Sequence, residues 1–173
     1  MLLTYSAAHD PFHAVFRMLS ILEATKATTF VLDRLLILDF FVCFPWAADI
    51  VSGSRKVPGF IVAQNRVIKA FRRNGYEQIP EPRVMFKRMR PSQLAAINSL
   101  ASYGYIDNDK FEKNLISVTT KSLPPSLAGE IDDYLKANSI LFEFLLVLGK
   151  LPMSSSDGLK AKTGLEEYKY DYV

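Results

Sequence analysis

Apolar residues recur at helical spacing near the start of the chain. In "DPFHAVFRMLSILEA", Val15, Met18, Leu19 and Leu22 share one face, Asp10 is placed to cap and Pro11 suits the first helical position. This predicts a first helix. The next run, "FVLDRLLILDFFVCFPW" at 30–46, is apolar on nearly every side, the pattern of a helix covered by its neighbours. Thr28 or Thr29 is the expected cap of this second helix, and Pro45 ends or bends it.

After the turn-forming loop "SGSRKVPG", Pro58 opens a third helix that stops at Asn74 and Gly75. Phe60, Val67, Ile68 and Phe71 fall on one side of it, and Arg66, Lys69 and Arg73 on the other. "EQIPEPR" reads as an extended linker, and "VMFKRM" as a short strand or lead-in because Val84, Phe86 and Arg88 alternate. A helix over 91–103 follows, burying Leu94, Ile97, Leu100 and Ala101, with Gly104 as its left-handed stop. "YID", "NDKFEKN" and "LISVTT" then read as a strand, a wing or short helical turn, and a returning strand.

Pro124 and Pro125 open a long helical region ending before Pro152, with "ILFEFLLVLGKL" its most apolar part. The expected fold is mainly α with a little β: a helical part over 1–80, and a winged-helix-like part with a small wing and C-terminal helices over 81–152. A polar tail at 153–173 is expected to be mobile. The whole is read as one compact unit.

Charge sharpens this picture. Between Arg55 and Arg90 ten basic residues face Glu77 and Glu81, a local net charge of +8 within an overall +3, which leaves −5 for the rest. Such a split points to a polyanion or an acidic protein surface as partner for the middle segment. Asp33, Arg34 and Asp39 interrupt the most apolar run, and a charge at the centre of a bilayer costs roughly 2.5–3.5 kcal/mol. A buried helix is therefore expected rather than a membrane span. "MLLTYSAAHD" has no basic segment before an apolar one, so the expected compartment is the cytoplasm.

Candidate chemistry is sparse. The lone Cys43 excludes an intramolecular disulfide or a cysteine cluster and reads as a packed thiol. His9 and His13 stand four apart but have no intervening glutamate, and His9 precedes the helix, so no metal site is expected. Asp33 and Asp39 are too far apart along a helix to form an acid–base pair, and both are read as structural. Asp39, set among Leu36, Ile37, Leu38, Phe40 and Phe41, requires an arginine, tyrosine or backbone donor if buried. With no phosphate loop, dinucleotide turn or nucleophile elbow, neither catalysis nor a cofactor is expected.

The helix at 91–103 occupies the place of a winged-helix recognition helix, yet it carries no charge. Gln93 or Asn98 could reach a base edge, but DNA binding rests chiefly on lysine and arginine contacts to phosphates. Ala95, Asn98, Ser99 and Ser102 instead offer a small neutral face suited to another protein. Arg66, Lys69, Arg73, Lys87, Arg88 and Arg90 are the candidate partner- or nucleic-acid-binding residues, against the plainer reading of a solvated helix face.

"DPFHAVFRMLSIL", "LDRLLILDFFVCFP" and "PEPRVMFKRMRPSQLAAINSLASYGYID" together resemble the middle-component proteins of bacterial ABC-three-component systems, encoded between an ABC-type ATPase and an effector. The resemblance spans about residues 5 to 150, leaving the tail outside. It departs from a well-formed helix start at Arg90, where a helix beginning at Pro91 would take a capping side chain. It implies a cytoplasmic, non-enzymatic adaptor that couples the ATPase to the effector in a conflict system proposed for antiviral or antiplasmid defence. Nucleic acid held by the assembled complex is a further candidate partner. The alternatives are a winged-helix DNA-binding regulator and, more remotely, an enzyme whose site the sequence conceals.

Overall fold

The computed structural model describes residues 7–76 and 78–165. The Asp10 carboxylate accepts the Phe12 N–H at 2.9 Å, and Pro11, which has no N–H to satisfy, opens helix α1 (Pro11–Thr25). The helix ends where Lys26 turns left-handed. Strand β1 (Thr29–Val31) and helix α2 (Leu32–Cys43) follow. The expected cap at Thr28 or Thr29 is not used. Phe30, between two β-branched residues, is buried and pairs with Ile116, so the segment extends and α2 begins after Val31.

A 3₁₀ helix (Pro45–Ile50) and helix α3 (Phe60–Ala70) come next, α3 stopping four residues before the expected Asn74. Helix α4 then runs unbroken over Pro82–Ser102. It replaces both the strand expected at 84–89 and the helix start expected at Pro91. Its buried positions, Met85, Phe86, Met89, Gln93, Ala96, Ile97 and Leu100, recur every three or four residues straight through the proline. Burying three large side chains before Pro91, at roughly 1.5–3 kcal/mol each, outweighs the ~3 kcal/mol cost of an internal proline. Pro91 faces solvent, where water can satisfy the carbonyl it leaves without a helical donor. Arg90 lies inside the helix, so the missing cap has no consequence.

Gly104 (φ 79°) takes the left-handed position after α4: its N–H reaches the Ala101 carbonyl and the Tyr105 N–H that of Leu100. A short helix α5 (Asn108–Phe111), capped by Asp107, fills the wing. Strand β2 (Leu115–Ser117) returns antiparallel to β1, with Thr29, Phe30 and Val31 opposite Ser117, Ile116 and Leu115, and Ile106 bridges to Val118. Helix, strand, helix, helix and wing make a winged-helix unit, with 45–81 inserted before its third helix. Its sheet joins residue 30 to residue 116, so the unit crosses the expected boundary at 80/81.

Helices α6 (Pro125–Ala137) and α7 (Ser139–Leu148) are separate, broken at Asn138, whose side chain donates to the Tyr134 carbonyl at 2.9 Å. Phe144 of α7 packs edge-on against Phe41 of α2 and Phe60 of α3, which ties the insert to the winged helix. The expected mobile tail is instead packed as far as Leu165. It forms helix α8 (Leu159–Thr163) and buries Leu159, Thr163 and Leu165, three positions too widely spaced to register as an apolar run. Residues 166–173 of that expected tail lie outside the described residues.

Candidate functional site

Three helices of the winged-helix unit meet at one buried polar cluster. Arg17 of α1 donates from Nε to Asp39 Oδ1 at 2.7 Å and from Nη2 to Oδ2 at 3.1 Å. Gln93 of α4 adds Nε2 bonds to Asp39 Oδ2 at 2.9 Å and to the Leu36 carbonyl at 3.1 Å. Asp39 is wholly buried, and its carboxylate accepts three bonds, the condition under which an interior charge is tolerated. Burial alone would depress the Arg17 guanidinium, but the adjoining carboxylate and hydrogen bond override it and raise its pKa. The same site secures the chain before α1: Arg17 Nη1 donates to the Ala7 carbonyl at 2.9 Å, and Ser92 Oγ lies 3.1 Å from that of Ala8.

The sequence reading missed Arg17 and misplaced Gln93, which faces the interior rather than a groove. Both carried a signal: each is a polar residue at helical spacing among core positions, Arg17 beside Ala14, Met18 and Ile21, and Gln93 beside Met89, Ala96 and Ile97.

A second anchor lies at the start of α2. Lys160 Nζ donates to Asp33 Oδ2 at 2.5 Å, and Arg34 Nη1 donates to the carbonyls of Gly149 and, at 3.0 Å, Leu151. Two adjacent residues thus hold the end of α7 and helix α8 against the winged helix. Cys43, at the other end of α2, is half-buried, and burial pushes its thiol well above the usual value.

The basic residues divide by place. Arg66 is paired with Glu143 across α3 and α7. Arg73 lies over the Trp46 ring, 5.0 Å from its centroid. Trp46 touches Phe44, Phe44 touches Phe40, and Phe40 touches Phe86, with ring centroids 5.3–6.2 Å apart. This aromatic row joins the chain just after α3 to the first turns of α4, where Arg83, Lys87 and Arg88 are exposed and Arg90 is half-buried. Lys69 is exposed on the last turn of α3.

Farther along α4, Ala95, Asn98 and Ser102 form an exposed stripe beside half-buried Ser99, so neither α6 nor α7 buries it. The adjoining wing carries Asp107, Asp109 and Glu112 against Lys110 and Lys113. Behind the sheet, α1 and α6 flank a groove of about 730 Å³, with Leu22, Ile106, Val118, Ile131 and Leu135 among its lining. His13 is exposed, with Nε2 3.8 Å from Asp10 Oδ2. Among the described residues no group of three or more His, Cys, Asp or Glu could hold a metal, and no helix is long and apolar enough to cross a membrane.

The fold is a winged helix with an inserted helical segment and a polar interior tied across three helices. The chain matches the family described as ABC-three component (ABC-3C) system Middle Component 5 over residues 3–171, and it belongs to that family. It is thus a middle component, the non-enzymatic adaptor between the ATPase and the effector of such a system. The match takes in the C-terminal segment that the resemblance left outside. No curated protein and no solved structure matches the chain.

Proposed function

We propose that the adaptor works through the outward face of α4, which offers two chemically different docking surfaces along one helix. The observation that carries this reading is the division of that face at Pro91. Arg83, Lys87, Arg88 and Arg90 precede the proline, and Ala95, Asn98, Ser99 and Ser102 follow it. A helix of 21 residues is about 30 Å long, enough to present each half to a different protein. The basic half, with Arg73 joined to it by the aromatic row and Lys69 exposed on α3, receives an acidic surface of the ATPase or the effector. The neutral half lets a partner backbone approach closely.

A nucleic acid held by the assembled complex is the second reading, favoured by the same basic half. Against it as the main role stands the wing, which carries a net charge of −1 where a DNA-binding wing would present cations to phosphate. Association kinetics separate the two. Reversing Lys87 and Arg88 to Glu lowers the on-rate for a protein partner. Nucleic acid would instead show affinity falling steeply with salt and nearly independent of sequence. Unchanged partner binding by the Lys87→Glu, Arg88→Glu variant would remove the basic half from the adaptor surface.

A further inference from the structure

Helices α1 and α6 each turn one side to the groove behind the sheet. Leu19 and Leu22 line it from α1, and Ala128, Ile131 and Leu135 from α6, all at the spacing of a single helix face. The α6 wall is acidic along its outer edge, where Glu130, Asp132 and Asp133 are exposed against Lys136, itself paired with Asp132. Ala128 to Leu135 covers about 10 Å of helix. An apolar trough of that length, flanked by two helices and rimmed with carboxylates, suits a third helix that carries aliphatic and basic positions on one side.

The chain carries such a helix elsewhere on its surface. Along α3, Val62, Asn65 and Lys69 form one exposed row with Ile61 beside it. Val62 is 65% exposed, the most open large aliphatic side chain among the described residues. The helix is held from behind, since Gln64 Nε2 donates to the Ala48 carbonyl at 3.0 Å and the Val51 carbonyl at 2.7 Å, and Arg66 pairs with Glu143 of α7. Its outer row is therefore set before any encounter, which lowers the entropy lost on docking. Val62 and Lys69 stand about 10 Å apart along the axis, the length of the trough. We propose that the groove between α1 and α6 receives α3 of a second copy of this chain, with Ile61 and Val62 in the trough and Lys69 against Asp132 and Asp133. The two surfaces differ, so the contact is head-to-tail and extends copy by copy, or closes as a ring, rather than ending at a symmetric pair. It does not depend on the docking surface of α4, with which it shares only Lys69.

Sedimentation velocity on the full chain over a rising concentration series reads this contact. One short helix in a groove falls at the weak end of interfaces, below about 1,200 Å² of buried surface, so association is expected at high micromolar concentration. The average mass of the parent should climb with concentration past that of two copies. Val62→Glu blocks the inserted row and Ala128→Glu blocks the trough, and both substitutions fall at exposed helical positions. Each variant alone should therefore stay folded by circular dichroism and remain monomeric. An equimolar mixture of the two should form one-to-one complexes, because the first keeps an intact groove and the second an intact α3. A parent that is monomeric throughout would overturn the proposal, as would self-association surviving in either variant. A mixture that stays monomeric while the parent associates would mark a symmetric contact and overturn the head-to-tail assignment. A monomeric parent whose binding to the ATPase or effector is lost only in Ala128→Glu would give the groove to that partner instead.

Discussion

The Arg17 guanidinium meets the Asp39 carboxylate side-on, two nitrogens on two oxygens, and Gln93 approaches the same carboxylate from a third helix. Helices α1, α2 and α4 therefore share one buried charge. Removing one partner of a buried pair leaves the other uncompensated, so Asp39→Ala should cost roughly 3–5 kcal/mol of stability. Arg17→Met with Asp39→Leu should recover most of that loss, because apolar pairs of similar volume replace buried ion pairs at little cost. Urea unfolding measures both. An Asp39→Ala variant within about 1 kcal/mol of the parent would deny the cluster its structural role.

Arg34 makes a separable prediction. Its bonds to the Gly149 and Leu151 carbonyls close the end of α7, and hydrogen bonds from a charged group contribute about 1.5–3 kcal/mol. Arg34→Ala should lose roughly that much and speed amide exchange around 149–165. Lys160→Ala, which breaks a half-exposed pair with Asp33, should cost less than about 1 kcal/mol. Equal losses in the two variants would contradict this ranking.

Much of this fold can be read along the chain, where local chemistry and tertiary demand agree. Asp10 and Pro11 begin α1, and Gly104 ends α4, because capping and left-handed turns are local matters. The errors arise where long-range packing prevails. Pro91 signals a helix start, yet Met85 and Met89 carry the helix through it because their burial outweighs a lost backbone bond. Thr29–Val31 is too short to show alternation and becomes a strand only because residues 115–117 lie beside it. The candidate surface is legible in type but not in grouping: the sequence supplies the basic residues, whereas the pairing of Arg66 with Glu143, 77 positions away, exists only in the fold.

Cys43 and Tyr134 give the alkaline behaviour a sign. Burial raises both above their ordinary values of 9.0 and 10.0, so the folded protein keeps them protonated where the unfolded chain ionises. Their contribution to stability is complete below about pH 9 and is lost as pH rises beyond it, by at most ~1.4 kcal/mol per pH unit per group. Cys43→Ala should flatten the decline in unfolding free energy between about pH 9 and 10. The native thiol should also react with a disulfide reagent at pH 8 at least about tenfold more slowly than in urea. Native and denatured rates within a factor of two would show an accessible, ordinary thiol.

The neutral half of α4 is tested by bulk. Asn98→Arg places a long cation on an exposed position, so stability should change by less than about 0.5 kcal/mol. Binding to one partner should nevertheless fall at least about tenfold, since a charge placed in a closely packed interface is desolvated without a counter-ion. A variant that binds both partners like the parent would remove this stripe from the interface.

The most direct measurement is reconstitution of the purified ATPase, effector and this chain, followed by size-exclusion chromatography with light scattering. The account predicts a ternary assembly that forms only when this chain is present, with Lys87→Glu, Arg88→Glu losing one partner and Asn98→Arg the other. Association of ATPase and effector to the same extent without this chain would contradict it.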